Sequence, residues 1–332
     1  MSFYCTLFDS FYLSRGLVMY ESLKKTCSDF HLYIFAFDDK SYQILNQLKL
    51  EGVTVISLSE FENEELLSIK PSRTRGEYCW TCTPYTVLYC IKKFNLPQCT
   101  YVDADLCFYS DPSVLLNEMG NNSILITEHR YTRQYDQSQT HGIYCVQFIS
   151  FKNTADGMTA LLWWKDRCIE WCFNRLEDGK FGDQKYLDDW TTRFKGVHVL
   201  MHLGGGVAPW NIQQYKLSLD DDGMWWVFDK ATGKEERLVF YHFHYVKFLE
   251  ADRIDISDYK LTFPGVFTLY ADYLKRIGEV NLRFLSKFNL VIPPQPFRTK
   301  RMWLMPLDIL KRKLRGVYNV FEQKSFINKW LT

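Results

Sequence analysis

The sequence has no long hydrophobic run. No stretch of about 18 uncharged apolar residues occurs in the chain, so we expect no membrane-spanning helix. The first residues, MSFYCTLFDSFYLSRG, lack the basic segment and the long apolar core of a secretion signal. The 10 cysteines are therefore expected to stay reduced, and we predict a cytoplasmic protein.

Charge of one sign is also scarce. The 332 residues carry 40 Lys and Arg against 39 Asp and Glu, a formal net charge of +1. A dedicated nucleic-acid binder needs a broad basic face, and this balance argues against one. We therefore expect no nucleic-acid partner.

Two familiar site motifs are incomplete. Cys79-Trp80-Thr81-Cys82 has the CxxC form, but no second pair completes a zinc site and no thioredoxin-like strand precedes it. The run Gly204-Gly205-Gly206 lacks the Gly-Lys-Ser/Thr that ends a phosphate-binding loop. We interpret the cysteines as structural thiols, which are usually buried.

What is present is an alternation of strand-like and helix-like runs. Phe3–Leu7, His31–Phe37 and Val53–Leu58 are strand-like, and leucines and tyrosines at helical spacing lie between them. This order predicts an α/β fold with a parallel, doubly wound sheet, whose ligands sit beyond the carboxyl ends of the strands. Thr154–Leu176 is predicted to be one long helix. From Gly196 onward, short apolar runs separated by turn residues predict a β-rich second half.

The strongest chemical signal is Thr100-Tyr101-Val102-Asp103-Ala104-Asp105-Leu106, in which an apolar strand runs into Asp-x-Asp. Residues two apart in an extended chain point to one side, so Asp103 and Asp105 converge. Two adjacent carboxylates repel unless a cation lies between them. A hard divalent cation would supply that charge and bridge diphosphate oxygens.

This segment continues into Phe108-Tyr109-Ser110-Asp111-Pro112, and the whole run resembles the DxD segment of GT-A nucleotide-sugar glycosyltransferases. The resemblance covers about residues 1–250 and is closest to the bacterial retaining galactosyltransferase and glycogenin-like group. It implies a GT-A catalytic domain, with a nucleotide-binding half at about 1–110 and an acceptor half at about 111–250. It also implies Mn²⁺ or Mg²⁺, a UDP-sugar donor and a saccharide or lipid-linked acceptor. We expect retention of configuration and a role in bacterial surface glycan synthesis.

A second match is Phe181-Gly182-Asp183-Gln184-Lys185. The resemblance implies that Asp183 bonds the donor sugar and that Gln184 lies near its anomeric carbon, so both are candidate catalytic and substrate-binding residues. The alternative is structural, with Asp183 capping a helix that runs on to Trp190.

A third match is Phe240-Tyr241-His242-Phe243-His244-Tyr245-Val246-Lys247. The resemblance implies that a histidine completes the metal site with Asp103 and Asp105, and that Lys247 holds the diphosphate. Alternation places His242 and His244 on one face of a strand, and imidazole suits manganese. We favour His242. The alternative is a strand with polar residues facing water.

Further candidates come from position. In the loop after His202, Gly205 permits close approach to a ligand, Trp210 offers a face to a sugar ring and Asn211 a hydrogen bond. A loop without contact to substrate is equally compatible with these residues. By resemblance, nucleotide-binding candidates are Thr6, Phe8 and Asp9 at the end of the first strand, and Arg73 and Tyr78 before a helix.

The last stretch, 297–332, is basic. It carries nine basic residues against Asp308 and Glu322: Arg298, Lys300, Arg301, Lys311, Arg312, Lys313, Arg315, Lys324 and Lys329. Apolar residues at helical spacing follow Trp303 and Met305: Leu307, Leu310, Leu314 and Val317. We expect residues 251–332 to form a helical extension able to lie on an anionic membrane on its cytoplasmic side. The alternative is a helix packed on the body with a solvated charged side.

Two other functions stay open. A sugar nucleotidyltransferase would share the sheet and the metal, but it would need a Gly-rich, basic loop where this chain has Asp9-Ser10-Phe11. A sugar- or lipid-binding scaffold would have the fold without turnover. Both aspartates of the motif and a late His-x-His are present, which argues against loss of activity.

Overall fold

Seven strands form the central sheet, in the order β3-β2-β1-β4-β7-β6-β8. The computed structural model describes residues 1–261, 263–290, 292–297 and 305–331. The strands of this sheet are β1 (Ser2–Phe8), β2 (Phe30–Ala36), β3 (Val53–Ser57), β4 (Gln98–Val102), β6 (Ile124–Glu128), β7 (Tyr144–Lys152) and β8 (Val197–Val199). Only β7 runs antiparallel to its neighbours in the sheet. The predicted α/β class with a doubly wound sheet is confirmed, and β7 makes this sheet mixed where the alternation of strands and helices predicted parallel strands.

Helices cover both faces of this sheet. In chain order they are α1 (Leu13–Thr26), α2 (Asp39–Leu48), α3 (Leu58–Phe61), α4 (Glu64–Ile69), α5 (Arg75–Lys93), α6 (Ser113–Glu118), α7 (Ser138–His141), α8 (Ala155–Glu170) and α9 (Trp190–Arg193). Their starts are set locally. The Asp38 side chain caps α2, and Thr74 and Glu77 form a capping box that begins α5 at Arg75. The predicted helix Thr154–Leu176 ends earlier, because the backbone turns extended at Trp171.

Three small antiparallel sheets hold most of the strands that follow Gly196, where short strands were predicted. Their strands are β5 (Leu106–Phe108) with β12 (Phe240–His242), then β9 (Tyr215–Leu219), β10 (Trp225–Asp229) and β11 (Glu235–Arg237), and last β13 (Lys247–Phe248), β14 (Arg253–Asp255) and β15 (Val320–Glu322). The pairing of β5 with β12 matters most, because β5 follows the DxD segment directly. It brings a late segment of the chain to the carboxyl end of β4.

The carboxyl-terminal part contains α10 (Pro264–Val280), α11 (Met305–Leu314) and α12 (Gln323–Leu331). α10 packs against α1 and α12. Tyr270 of α10 and Phe326 of α12 belong to the same buried cluster as Tyr4 and Phe8 of β1, so the extension shares the core of the first 250 residues. Within the described residues, no helix is both long and apolar enough to cross a membrane.

Candidate active site

A cleft of about 820 Å³ opens at the carboxyl ends of β1 and β4. This is the edge at which doubly wound sheets bind their ligands. Among the predicted residues, those that line it are Phe8, Asp9, Asp103, Asp105, Asp183, Gln184, Trp210 and His242. His244 lines it too. The fold therefore gathers residues from five separate parts of the sequence at one opening.

The DxD segment is held by backbone hydrogen bonds on both sides. The Asp103 N–H donates to the Gln147 carbonyl of β7 at 3.0 Å, and the Phe243 N–H donates to the Asp105 carbonyl at 3.0 Å. In the β5–β12 pair, His242 stands opposite Leu106, the residue after Asp105. Strand register therefore places the His242 ring beside the two carboxylates.

The distances in this cluster suit a cation. His242 Nε2 lies 3.1 Å from Asp105 Oδ1 and 3.7 Å from Asp103 Oδ2. Single ligand atoms of Asp105, His242 and His244 all lie within 4.8 Å of one another. Adjacent ligands of an octahedral ion at about 2.1 Å are about 3.0 Å apart, so carboxylate and imidazole are already at coordination spacing. The set of oxygen and imidazole donors fits Mn²⁺ or Mg²⁺.

Gln147 fixes the orientation of the histidine. Its side chain is fully buried, and its Oε1 lies 2.7 Å from His242 Nδ1. With Nδ1–H donating to this oxygen, Nε2 is the nitrogen that faces the carboxylates. Trp210 packs edge-on against the same ring, with the ring centroids 5.3 Å apart. A metal-ligating histidine commonly donates its other N–H in this way.

The charges of the cluster are strongly coupled. Burial raises the pKa of Asp105, but the His242 charge and hydrogen bond outweigh burial and lower it to about 2. Burial, followed by the Asp105 charge, raises the pKa of Asp103 to about 6 despite the opposing charge of His242. Burial would lower the pKa of His242, yet the two aspartates raise it well above its ordinary value. Without a cation, His242 is therefore an imidazolium that serves as the counter-ion of Asp105.

Asp183 and Gln184 line the same cleft, on the loop after α8. Asp183 is 5% exposed, and burial, followed by the Asp103 charge, raises its pKa to about 8. Gln184 donates from Nε2 to the His141 carbonyl at 2.9 Å. The predicted helix from Asp183 to Trp190 is wrong. A short 3₁₀ turn, Lys185–Leu187, is found there instead. Gln184 occupies the N-cap position of this turn, and no side chain makes a capping hydrogen bond to it.

The mouth of the cleft beyond β1 is built on Asp9 and Arg75. Asp9 Oδ1 accepts hydrogen bonds from the Phe11 and Tyr12 N–H groups at 2.9 and 3.2 Å, which closes the turn after β1. Arg75 Nη2 lies 2.5 Å from Asp9 Oδ2 and 3.6 Å from Asp38 Oδ2. Arg75 is 62% exposed at its side chain, so a cation stands at the cleft mouth.

Three predicted nucleotide-binding residues are absent from the cleft lining. Arg73 stacks on Phe173 at 3.9 Å and donates to the Ile169 carbonyl. The Tyr78 hydroxyl donates to Glu62 Oε1 at 2.7 Å, inside the packing beneath α5. Thr6 is fully buried in β1. Because the capping box begins α5 at Arg75, it is Arg75, and not Arg73, that reaches the site.

Two other candidates, Gly205 and Asn211, pack within the protein and do not line the cleft. A Cβ at Gly205 would meet the Leu200 side chain at 2.6 Å, so this glycine allows close packing rather than contact with a ligand. Asn211 is fully buried, and it donates to the His129 and Gly206 carbonyls and accepts from the Ala208 N–H. Asn211 thus holds the loop that presents Trp210.

Lys247, the predicted diphosphate ligand, lies in β13 with its ammonium 4.4 Å from the Tyr245 ring centre. It does not line the cleft. His244, three residues earlier in the chain, does line the cleft. Between the two, Tyr245 has a positive φ of 79°, so the chain turns there. The resemblance implied that Lys247 holds the diphosphate, and the structure places Lys247 beyond this turn and outside the cleft lining.

Two proteins of Bacillus subtilis (strain 168) are similar to the chain over most of its length. The uncharacterized protein YfnD is 34% identical over 303 residues, which cover 87% of this chain and 94% of YfnD. The uncharacterized protein YfnF is 32% identical over 299 residues, which cover 87% of this chain and 96% of YfnF. The chain belongs to the YfnD and YfnF family. No family model matches it.

Solved structures with a similar fold include three glycosyltransferases. Mouse xyloside xylosyltransferase 1 in its apo form has a TM-score of 0.46 at 12% identity, over 74% of this chain and 98% of that one. The galactosyltransferase LgtC, with donor and acceptor sugar analogs, has a TM-score of 0.42 at 10% identity, over 62% and 76%. The bifunctional WbbM has a TM-score of 0.49 at 10% identity, over 87% and 51%.

Several cleft residues of this YfnD relative were missed by the sequence interpretation. Arg75, Trp80 and Tyr12 line the cleft, and Gln147 supports His242. For Arg75 a signal existed, since Thr74-x-x-Glu77 is a capping-box sequence that marks the helix start. For Gln147 none existed, because one polar residue in an apolar strand does not reveal its partner.

Proposed function

We propose that the chain is a GT-A glycosyltransferase that requires a divalent metal and transfers a sugar from a UDP-sugar to a saccharide or lipid-linked acceptor. The observation that carries the proposal is the cluster of Asp103, Asp105 and His242 at the end of β4, with 3.1 Å between imidazole and carboxylate. One imidazolium balances only one of the two carboxylates in this cluster, and a divalent cation would supply the further positive charge. The DxD segment carries the resemblance to this class of enzyme.

The residues that would hold Mn²⁺ or Mg²⁺ are Asp105 and His242, assisted by Asp103, with His244 within reach. When bound, the ion supplies positive charge against the negative charge that a leaving nucleoside diphosphate develops. Gln147 keeps the Nε2 atom of His242 turned towards the carboxylates. Asp105 has a lowered pKa and stays ionised across the physiological range, which keeps one carboxylate ready as a ligand.

In this proposal, the other residues that line the cleft bind different parts of the donor. Arg75 and Asp9, with Phe8, take the nucleotide at the mouth beyond β1. Trp210 presents an aromatic edge near the metal cluster, where a sugar ring would pass. Asp183 would be largely protonated near neutral pH, so it would donate a hydrogen bond to a sugar hydroxyl as well as accept one.

A matched pair of variants tests the nucleotide side. Arg75→Gln removes the cation at the cleft mouth, and Arg73→Gln removes one from outside the cleft, only two residues away. Calorimetry with UDP in the presence of Mn²⁺ should give weaker binding for Arg75→Gln and wild-type binding for Arg73→Gln. Equal binding by both variants would contradict the assignment of the nucleotide to this side.

We also propose retention of configuration, based on the resemblance at Asp183 and Gln184. Both line the same cleft as the metal cluster. Proton NMR of the first glycoside product reads its anomeric configuration directly. An inverted product would reject retention and remove Gln184 from its proposed place beside the anomeric carbon, and it would leave the metal assignment standing.

The nucleotidyltransferase alternative finds little support at the turn after β1. The Phe11 and Tyr12 N–H groups, which such an enzyme would offer to phosphates, are bonded to the Asp9 carboxylate. The scaffold alternative predicts binding of UDP without release of UDP from a UDP-sugar. We place the activity at the cytoplasmic face of a bacterial membrane, in surface glycan synthesis, a setting that a screen of lipid-linked acceptors tests.

A further inference from the structure

Helix α11 exposes its apolar residues. Leu307, Leu310 and Leu314 are 52%, 53% and 79% exposed. Their spacing of three and four residues puts them on one side of the helix. A helix that packs on a protein core normally turns such a stripe inward, so packing against the body does not explain this orientation.

The opposite side of α11 carries a buried charge. Arg312 is 3% exposed and binds both oxygens of Asp255, at 2.6 and 2.8 Å, and its Nη2 also donates to the Ser257 carbonyl at 3.0 Å. This two-pronged pairing has a fixed planar geometry. It therefore fixes the rotation of α11 and holds the three leucines outward.

Cations flank the exposed leucines. Lys311 and Lys313 are exposed, as is Arg315 just beyond the helix, and their charges add to the apolar stripe. We call Leu307, Leu310 and Leu314 with these cations the outer face of α11. Arg312 is neutralised by Asp255 and does not contribute to that face. Asp308, the acidic residue of the helix, is only partly exposed.

We propose that the outer face of α11 lies on an anionic membrane surface. The leucines enter the boundary between headgroups and acyl chains, and the cations meet the acidic headgroups, as in helices that lie in the membrane plane. A second copy of the chain is a poorer occupant. In a two-fold dimer through this face, each copy would present the same cations to the other.

The outer face is rigidly connected to the cleft. The segment after β14 is held by Arg312 at Asp255 and Ser257, and by Asn319, whose Nδ2 donates to the Ser257 and Tyr259 carbonyls. Tyr259 lines the cleft. If the proposed function holds, the docked membrane would therefore present a lipid-linked acceptor to a cleft of fixed orientation. The docking itself does not depend on that function.

Vesicle co-sedimentation of the full chain tests the docking. The probes are vesicles of phosphatidylcholine alone and vesicles in which part of it is replaced by phosphatidylglycerol. Wild type should sediment with the anionic vesicles and stay in solution with the neutral ones. Leu307→Gln/Leu310→Gln/Leu314→Gln should lose the binding at least tenfold, and Lys311→Gln/Lys313→Gln should weaken it by about fivefold per charge.

Matched controls keep the test specific. Leu67→Gln/Leu162→Gln/Leu219→Gln changes leucines that are 50%, 42% and 51% exposed elsewhere and should bind like wild type. Truncation of the tail is unsuitable, because Phe326 of α12 is buried in the core and β15 pairs with β14. Three outcomes would each overturn the proposal. They are full vesicle binding by the α11 leucine variant, wild-type binding to neutral vesicles as strong as to anionic ones, and a wild-type dimer that becomes monomeric in this variant.

Discussion

Binding of Mn²⁺ should release a proton near neutral pH. The two aspartates raise the pKa of His242 well above its ordinary value, so the cation-free site holds an imidazolium. A metal ligand must be neutral imidazole, so the ion has to displace that proton. Below the raised pKa, each pH unit then weakens the observed affinity about tenfold, or about 1.36 kcal/mol.

At lower pH, Mn²⁺ binding should release a second proton. The pKa of Asp103 is raised to about 6, so below that pH its proton too must leave before it can coordinate the ion. Asp105, with a pKa of about 2, contributes no proton in this range. The slope of affinity against pH should therefore steepen from about tenfold to about a hundredfold per unit as pH falls through 6.

Calorimetry in buffers of different ionisation enthalpy counts these protons. We expect about one proton released per Mn²⁺ at neutral pH, rising towards two in acid. His242→Asn should remove the His242 proton from this count and move the release from Asp103 to higher pH, because the pKa of Asp103 rises when the opposing charge of His242 is gone. Affinity that stays flat from acid to neutral pH in wild type would refute the reasoning.

Three further substitutions distinguish residues that support the site or the fold from residues that bind the metal or the donor. Gln147→Leu should weaken Mn²⁺ binding by about 10- to 100-fold in calorimetry, because it frees the ring of His242 to turn; wild-type affinity would argue against its positioning role. Asn211→Ala should lower the free energy of unfolding by about 2–4 kcal/mol, because it leaves buried backbone groups unpaired, and it should leave the KM for donor unchanged. A raised KM in a variant of full stability would mean that Asn211 contacts the substrate. Arg312→Met should cost about 3–5 kcal/mol in urea unfolding, and adding Asp255→Leu should recover most of that; no recovery would mean that the pair is not coupled.

Local patterns were enough to predict the sheet and to single out the DxD segment. Asp103 and Asp105 follow the apolar strand β4, but they do not continue it as extended chain, because Ala104 and Asp105 form a turn in which the Leu106 N–H donates to the Asp103 carbonyl at 3.3 Å. The choice between His242 and His244 was harder. It depends on the register between β5 and β12, a long-range pairing that alternation within one strand does not contain. Both histidines reach the cleft, and it is Gln147 that singles out His242.

The wrong or displaced predictions share a physical reason. A charged or polar residue near a site caps a helix or supports a loop as often as it binds a ligand. Which of these roles it has depends on its hydrogen-bond and packing partners, which the local sequence does not contain. Arg73 stacks on Phe173, and Asn211 satisfies two backbone groups of its own loop and the His129 carbonyl after β6. Of the predicted stripe, Leu307, Leu310 and Leu314 share one side of α11, but Val317 lies beyond the helix and is buried. The outward direction of the three leucines depends on the Arg312–Asp255 pair, which joins residues 57 positions apart.

Four of the basic and aromatic residues predicted for the tail, Arg298, Lys300, Arg301 and Trp303, lie outside the described residues. The membrane proposal therefore depends on α11 and Arg315 alone. Their exposed cations and leucines are sufficient to define a face, and the vesicle test addresses that face directly.

The most direct test of the account is the release of UDP from UDP-sugars by wild type and by Asp105→Asn in excess manganese. The amide keeps the shape of the side chain and removes the charge that holds the cation, and Asp111→Asn, outside the cleft, is the matched control. Wild type and the control should turn over donor only with metal, and Asp105→Asn should be slower by about a hundredfold or more, about 2.7 kcal/mol in the barrier. Turnover by Asp105→Asn at the wild-type rate would contradict the metal site and the proposed glycosyl transfer with it.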